Sequence, residues 1–244
     1  METSLTTEKR TRRVHLVPVD EADQAVFQEL DVGVDTMYHE AEKVFYQADA
    51  GDGACIGVFG DKAFPFDLHL TAQAAWRCLA HTFQHEKFNF SYHRERRLDT
   101  GDIARDDTVV ESFGVEIKAP ERIADFRIKQ VFRQFVEQDR IVIAWRSFID
   151  PAEFKGQPLQ GIRFQEKGSV VIRPSKVQAP DSVLTQLRIW HVITPETLGN
   201  TKERDSSQFI QELTDFVLGG SSSASTVQMI ENMLVEQATK RVLV

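Results

Sequence analysis

The stretch VFRQFVEQDRIVIAWRSFIDP, residues 131–151, predicts two strands joined by a tight turn at Gln138-Asp139. Side chains of a strand point alternately to the two faces of a sheet, so the sequence assigns each residue to a face. One face carries large apolar residues: Phe132, Val136, Ile141, Ile143, Trp145 and Ile149. The other face is mixed: Val131, Phe135, Val142 and Phe148 with Arg133, Ala144 and Arg146. The stretch therefore predicts a sheet that is apolar on one face and partly covered on the other.

Six segments after Lys87 have strand character, since they alternate with a period of two and are rich in Val, Ile, Phe, Thr and Trp. They are residues 88–97, 107–118, 124–137, 140–149, 160–173 and 182–194. Short connections between successive strands predict antiparallel neighbours. Lys167-Gly168 is a candidate break that would fold the fifth segment into a hairpin. Long strands in one meander predict a curved sheet, because sheets twist and coil.

Helical patterns precede and follow the strands, which predicts one α+β domain. Gly33 weakens the middle of the first helix, and a second helix begins at Thr71. We predict a polar, partly basic tail at 1–19 and a domain at 20–244. The domain consists of an N-terminal helix at 20–48, a sheet region at 54–194 and a C-terminal helical region at 205–242. The last helix is expected to pack across the sheet.

The sequence GGSSSAS, residues 219–225, interrupts the C-terminal helical region. Gly219 and Gly220 disfavour a helix interior. Two interpretations stay open. The segment is either a plain loop between two helices or a hinge that lets residues 226–240 lift from the sheet.

The chain has 244 residues and a formal net charge of −8. This acidic balance argues against a general nucleic-acid surface, and we expect no nucleic-acid partner. No apolar run approaches the roughly 20 residues of a membrane helix. Two cysteines provide no disulfide framework. We expect a soluble cytoplasmic protein, with nuclear import through the Lys9, Arg10, Arg12 and Arg13 cluster as the alternative.

Motifs for cofactors, metals and catalysis are weak. Gly51, Gly53 and Gly57 come within one residue of the dinucleotide fingerprint, but they flank a strand-like segment, where a turn is the better interpretation. His81 and His85 have the helical spacing of two metal ligands without an identifiable third ligand. There is no G-x-S-x-G elbow. We therefore expect no cofactor, no bound metal and no catalytic residues.

Four stretches carry a resemblance to a known family: VDTMYHEAEKVF (34–45), AAWRCLAHTF (74–83), QFVEQDRIVIAWRSFIDP (134–151) and FQEKGSVVIRP (164–174). They resemble START-like domains, which are related to the lipid-transfer domain of steroidogenic acute regulatory protein, and more narrowly the START-like proteins of oomycetes. The resemblance runs from about residue 27 to the C-terminus. Some relatives carry an upstream basic zipper, but the basic cluster here is not followed by leucine heptads.

The resemblance implies the helix-grip fold, in which a curved antiparallel sheet wraps around a long C-terminal helix. It also implies non-catalytic binding of a lipid or other hydrophobic small molecule in the cavity between sheet and helix. Transfer or sensing of that molecule, with transient membrane contact, would be the biological role.

Strand parity selects the side chains that would face such a ligand. Binding cavities are mostly apolar with a few placed polar groups. On the apolar face we predict these ligand-binding residues: Tyr92, Arg94, Glu111, Phe113, Phe132, Trp145, Leu187 and His191. Gln130, Gln134 and Ser147 share the same parity. For Gln130 and Ser147 a filled core is the favoured interpretation.

Two other functions stay open. A helix-grip enzyme of the cyclase or hydrolase type would use polar cavity residues, with Glu111 and His191 as an acid–base pair if they face one another. A regulatory or interaction module would have a filled core and no ligand. Cavity volume separates these classes, because a binding protein needs a few hundred Å³ behind its last helix.

Overall fold

The computed structural model describes residues 11–49, 57–80, 107–119, 122–176, 183–198, 207–218 and 223–242. The elements are β1 (Thr11–Leu16), α1 (Asp23–Asp49), β2 (Gly57–Phe64), α2 (Leu68–Ala80), β3 (Thr108–Ala119), β4 (Arg122–Val136), β5 (Ile141–Phe154), β6 (Gln157–Pro158), β7 (Ile162–Pro174), β8 (Thr185–Thr197), α3 (Ser207–Leu218) and α4 (Ser223–Val242). The fold class is α+β, as predicted. The predicted strand at 88–97, the histidines at 81 and 85 and the glycines at 219 and 220 lie outside the described residues.

The described strands form one antiparallel sheet in the order β1-β3-β4-β5-β7-β8-β2, with the short β6 paired to β5. The stretch 131–151 forms the β4–β5 hairpin, in which Phe132 pairs with Trp145 and Arg133 with Ala144. The backbone N–H of Glu137 donates to the carbonyl of Arg140 at 2.9 Å and closes the turn. The predicted antiparallel pairing of successive strands is therefore confirmed for the described segments.

Two details differ from the sequence-based expectations. Residues 11–16, assigned to the polar tail, form β1 and pair with β3 at the sheet edge. The adjacent charged residues Arg12 and Arg13 give this edge strand no apolar–polar alternation, so its strand character is not visible in the sequence. Lys167-Gly168 does not divide the fifth segment, because β7 runs unbroken from Ile162 to Pro174. Glycine at 168 has a packing role instead, described below.

Helix α1 covers one face of the sheet, which we call the α1 face. Asp20 caps the helix: its Oδ1 accepts from the N–H of Asp23 at 3.1 Å, and Asp23 Oδ2 accepts from the N–H of Asp20 at 3.2 Å. The buried apolar residues on this face are Phe27, Leu30, Val34, Met37, Ala41, Val131, Val142, Ala144, Phe148, Val171, Trp190 and Val192. They include Val131, Val142 and Phe148 from the mixed side of the opening stretch, and the partly buried Phe135 packs against them, so a helix covers that side.

Ion pairs fix α1 to β4 and account for the charges on the α1 face. Arg133 is only 3% exposed, and its guanidinium donates to Asp31, to Asp35 at 2.6 Å and to Thr108 Oγ1 at 3.0 Å. Lys129 makes an ion pair with Asp23, about two turns before Asp31 on the helix. A buried charge needs such partners, and here α1 supplies them.

Gly33 lies inside a continuous helix and does not divide it. A Cβ at this position would lie 2.8 Å from Nη1 of Arg146, which extends from β5. Glycine therefore leaves room for the guanidinium between helix and sheet. Its cost in helix propensity is offset by this close contact.

The opposite face, which we call the α2 face, is covered by three helices. Helix α2 contacts β5 and β7, while α4 packs against α2 and has its main strand contacts with the edge strand β2. Helix α3 covers the other end of the same face and contacts β8. The C-terminal helices therefore pack on the sheet, but α2 lies over its centre and α4 mainly at its edge, so the expectation that the last helix packs across the sheet is not confirmed.

Candidate polar site on the α2 face

A row of polar side chains crosses four neighbouring strands on the α2 face. Glu111 of β3 pairs with Gln130 of β4, Gln130 with Ser147 of β5, and Ser147 with Glu166 of β7. His191 of β8 joins the end of the row through a contact with Glu166. We call these five residues the polar row. Directly opposite residues in an antiparallel pair have Cβ atoms about 5 Å apart, so each member lies against the next.

Two hydrogen bonds organise the polar row. Nε2 of Gln130 donates to Oε2 of Glu111 at 2.8 Å. Nδ1 of His191 lies 3.2 Å from Oε1 of Glu166. When the ring carries its proton on Nδ1, this nitrogen donates to the carboxylate, and in that tautomer Nε2 is an acceptor. Glu111 and His191 are each 5% exposed.

Ser147 is fully buried at the centre of the row, and its Oγ has no hydrogen-bond partner in the structure. A buried hydroxyl without a partner destabilises the folded state by about 1–3 kcal/mol. Such a group needs an explanation in a native protein. In the polar row it is an unused donor and acceptor between Gln130 and Glu166.

An aromatic row runs beside the polar row, one position along the strands. It is formed by Phe132, Trp145, Gly168 and His191, which pair in register across β4, β5, β7 and β8. The rings of Phe132 and Trp145 stack with centroids 5.7 Å apart. A Cβ at Gly168 would lie 2.7 Å from both Trp145 Cε2 and His191 Cβ. The indole of Trp145 therefore occupies the space that a side chain at position 168 would need.

Apolar clusters lie on both sides of the polar row. The first, under α2 and α4, contains Ile141, Ile143, Trp145, Val170, Ile172, Leu187 and Ile189 from the strands and Ile230, Met233 and Leu234 from α4. The second, under α3, contains Ile117, Phe126, Ile149, Phe164 and Ile193 with Leu213, Phe216 and Val217. The polar row separates the two clusters on one continuous face.

The described side chains that β3, β4, β5, β7 and β8 place on the α2 face include two carboxylates, Glu111 and Glu166, but neither lysine nor arginine. On the edge strand β2, Lys62 is bound by Glu231 of α4 at 2.6 Å.

The structure brings most of the predicted ligand-binding residues onto one face. Glu111, Phe113, Phe132, Trp145, Leu187 and His191 are all buried there, while Tyr92 and Arg94 lie outside the described residues. Glu111 and His191 do not face one another, because β4, β5 and β7 lie between their strands. At about 4.8 Å per strand they are roughly 19 Å apart. The expected acid–base pair is therefore not formed, and Glu166 is the partner of His191.

Glu166 was missed by the sequence analysis. The sequence feature that indicates Glu166 is its strand parity with Phe164, Val170 and Ile172. This parity places Glu166 on the apolar face of a continuous strand. The expected break at Lys167-Gly168 interrupted that parity. A glycine within a strand also marks a close approach of another group, here the indole of Trp145.

A pocket of about 220 Å³ opens beside the first apolar cluster. It is lined by Phe66, Leu70, Leu234, Gln237 and Ala238, between the start of α2 and the last turns of α4. Leu234 belongs to the same cluster as Trp145. None of the six predicted ligand-binding residues that the structure describes lines this pocket.

Other chemistry has little support in the described part of the chain. Burial raises the pKa of the Cys78 thiol to about 12, so the thiolate needed for nucleophilic attack is not formed at neutral pH. No group of three or more metal-ligating side chains occurs among the described residues. No helix within the described ranges is long and apolar enough to cross a membrane.

Comparison with known proteins adds no relative: no protein-family model matches the sequence, and no curated protein matches it.

Proposed function

We propose that the protein binds a lipid or other hydrophobic small molecule non-catalytically on the α2 face, as a START-like domain of the helix-grip type. The observation that carries this proposal is the polar row between two apolar clusters, with the unpartnered Ser147 hydroxyl at its centre. Ligand sites are mostly apolar and contain a few convergent polar groups. A buried hydroxyl destabilises the folded state until a hydrogen-bond partner reaches it, and a ligand at the polar row would be such a partner for Ser147.

The pocket between α2 and α4 supports the same proposal. It adjoins the apolar cluster that contains Trp145, and it leads between two helices that cover the face. Its volume of about 220 Å³ is below the roughly 300–1,000 Å³ typical of ligand sites. We therefore propose that ligand uptake moves α4 away from α2 and enlarges this pocket toward the polar row. Release toward a membrane or a partner would follow the same path.

Native mass spectrometry of protein purified from its own cells tests whether a ligand is bound. We expect a mass excess of a few hundred daltons that is removed by organic extraction and identified in the extract. The control is the same protein refolded from denaturant, which should have the mass of the chain alone. Absence of any extractable apolar molecule would count against the proposal.

Two single-tryptophan variants test where the ligand binds. Trp145 lies on the α2 face and Trp190 on the α1 face, and both are buried. The variant W76F/W190F retains Trp145, and W76F/W145F retains Trp190. The extracted ligand should change the emission of Trp145 and leave that of Trp190 unchanged. An equal change in the emission of the two variants, or no change in the variant that retains Trp145, would exclude the α2 face as the site.

A further inference from the structure

We propose that the ion pair between Lys62 of β2 and Glu231 of α4 is a latch that controls how often α4 opens over the pocket, and hence how fast a ligand enters and leaves. Nζ of Lys62 lies 2.6 Å from Oε2 of Glu231. The pair joins α4 to the edge strand with which this helix has its main strand contacts. We call it the α4 latch. This inference rests on the proposed function, because it concerns access to the same site.

The α4 latch lies next to the pocket between α2 and α4. Three of the residues that line this pocket follow Glu231 within about two turns of the helix: Leu234, Gln237 and Ala238. The helix is packed on the sheet at this point, since Ile230 is fully buried and Leu234 is 1% exposed. One partner of the ion pair belongs to the sheet and the other to the helix. A movement of α4 that enlarges the pocket must therefore separate Lys62 from Glu231.

Neighbouring groups hold both partners of the α4 latch in place. Nε2 of Gln228, one turn earlier on α4, donates to the same oxygen of Glu231 at 3.0 Å. Nζ of Lys62 lies over the ring of the buried Phe64, 5.6 Å from its centroid. The hydrogen bond from Lys62 lowers the pKa of Glu231 below its ordinary value. The carboxylate is therefore ionised at neutral pH and available to the ammonium group.

The strength of the α4 latch suits a contact that opens and closes. The side chains of Lys62 and Glu231 are 37% and 32% exposed, so dissolved salt screens their attraction. Ion pairs of this kind contribute little to the stability of a whole fold. A small free energy still changes the population of an open state, and here we expect its loss to raise that population about two- to fivefold.

An ion pair of the same construction on α3 provides a matched control. Nζ of Lys155 lies 2.5 Å from Oε1 of Glu212 of α3, and the two side chains are 43% and 32% exposed. Lys155 also lies over the ring of a buried phenylalanine, Phe154, 5.7 Å from its centroid. None of the residues that line the pocket belongs to α3. The control pair therefore joins a C-terminal helix to the sheet region away from the pocket.

Hydrogen–deuterium exchange tests the α4 latch without any ligand. Glu231→Gln keeps the size of the side chain and removes its charge, so the backbone amides of α4 should exchange about two- to fivefold faster than in the wild type. Glu212→Gln should leave exchange in α4 unchanged. Added salt should accelerate exchange in α4 of the wild type and have little effect on Glu231→Gln, because that variant has no ion pair to screen.

Uptake of Nile red, a neutral apolar dye, tests whether the α4 latch controls access. Stopped-flow fluorescence should show uptake about two- to fivefold faster in Glu231→Gln and at the wild-type rate in Glu212→Gln. The charge-exchanged variant Lys62→Glu/Glu231→Lys restores an ion pair with the opposite orientation. Its uptake rate should return toward that of the wild type, a recovery that loss of helix packing alone would not give.

The possible results separate this inference from the proposed function. Unchanged exchange in α4 of Glu231→Gln, or equal effects of Glu231→Gln and Glu212→Gln on α4, would overturn the inference. Faster exchange in α4 without faster uptake of Nile red, or no uptake by the wild type, would also overturn it. The proposed function is decided by the native extract, so it stands or falls separately from each of these results.

Discussion

The indole of Trp145 occupies the space that any side chain at position 168 would need, since a Cβ on Gly168 would lie 2.7 Å from its Cε2. Trp145 is part of β5, and its ring extends over the backbone of β7 toward His191, whose ring centroid is 6.4 Å away. This single contact links the aromatic row to the polar row. It also gives the first prediction.

Gly168→Ala should destabilise the fold by about 1–3 kcal/mol, because an added methyl group must displace a packed indole. Urea denaturation followed by circular dichroism measures this change. The double variant Gly168→Ala/Trp145→Leu removes the obstructing ring. Its loss of unfolding free energy should therefore be smaller than the losses of the two single variants added together. Purely additive effects would mean that residues 168 and 145 do not contact each other.

Trp145→Ala and Trp190→Ala should destabilise the protein by similar amounts, about 3–5 kcal/mol each, since both side chains are buried. Their effects on ligand affinity should differ. Trp145→Ala should weaken binding, because it opens the aromatic row, and Trp190→Ala should not, because Trp190 packs under α1. Isothermal titration with the extracted ligand, at a temperature where both variants are folded, decides between these outcomes.

Arg133→Ala should be among the most destabilising single charge removals on the sheet. The side chain is buried and bound to Asp31, Asp35 and Thr108, and removing one partner of a buried ion pair destabilises by about 3–5 kcal/mol. Lys62→Ala is the control, since the Lys62–Glu231 pair is partly exposed and such surface pairs contribute little to stability. Chemical denaturation of both variants measures the difference. Equal effects would mean that Arg133 does not anchor α1.

The buried thiol of Cys78 should make stability fall at alkaline pH. Its pKa in the folded protein is about 12, above the ordinary value of 9.0, so the folded state retains a proton that the unfolded state releases. This contribution is complete below pH 9 and is lost as the pH rises toward 12, at up to about 1.4 kcal/mol per pH unit. Denaturation between pH 8 and pH 11 should show a steeper loss for the wild type than for Cys78→Ala. Parallel curves would contradict the raised pKa.

The hinge at Gly219 and Gly220 stays a prediction from sequence. The double substitution Gly219→Ala/Gly220→Ala favours helix at these positions, so it should slow the movement of α4 and the exchange of ligand. Stopped-flow release of a fluorescent lipid probe measures the rate, and circular dichroism verifies the fold. Ligand exchange at the wild-type rate would show that the segment is a plain loop and not a hinge.

Much of this fold follows from local pattern. The β4–β5 hairpin, its turn and the division of its residues between two faces could be predicted, because alternation and turn chemistry are local properties. The edge strand β1 could not be predicted, because its side chains are largely polar and its position is set by backbone pairing with β3. The separation of Glu111 from His191 was equally hidden. It depends on the order of strands in the sheet, which parity along one strand does not contain.

The pairing of β2 with β8 has a consequence for how the chain is made. Residues 57–64 are synthesised well before their partners, residues 185–192. The edge of the sheet under α4 therefore cannot close until residues 185–192 are synthesised, and α4 follows them in the chain. Contacts between distant parts of a chain also form slowly. The apolar α2 face is thus exposed until both segments are available, and we expect nascent chains to need chaperones up to that point.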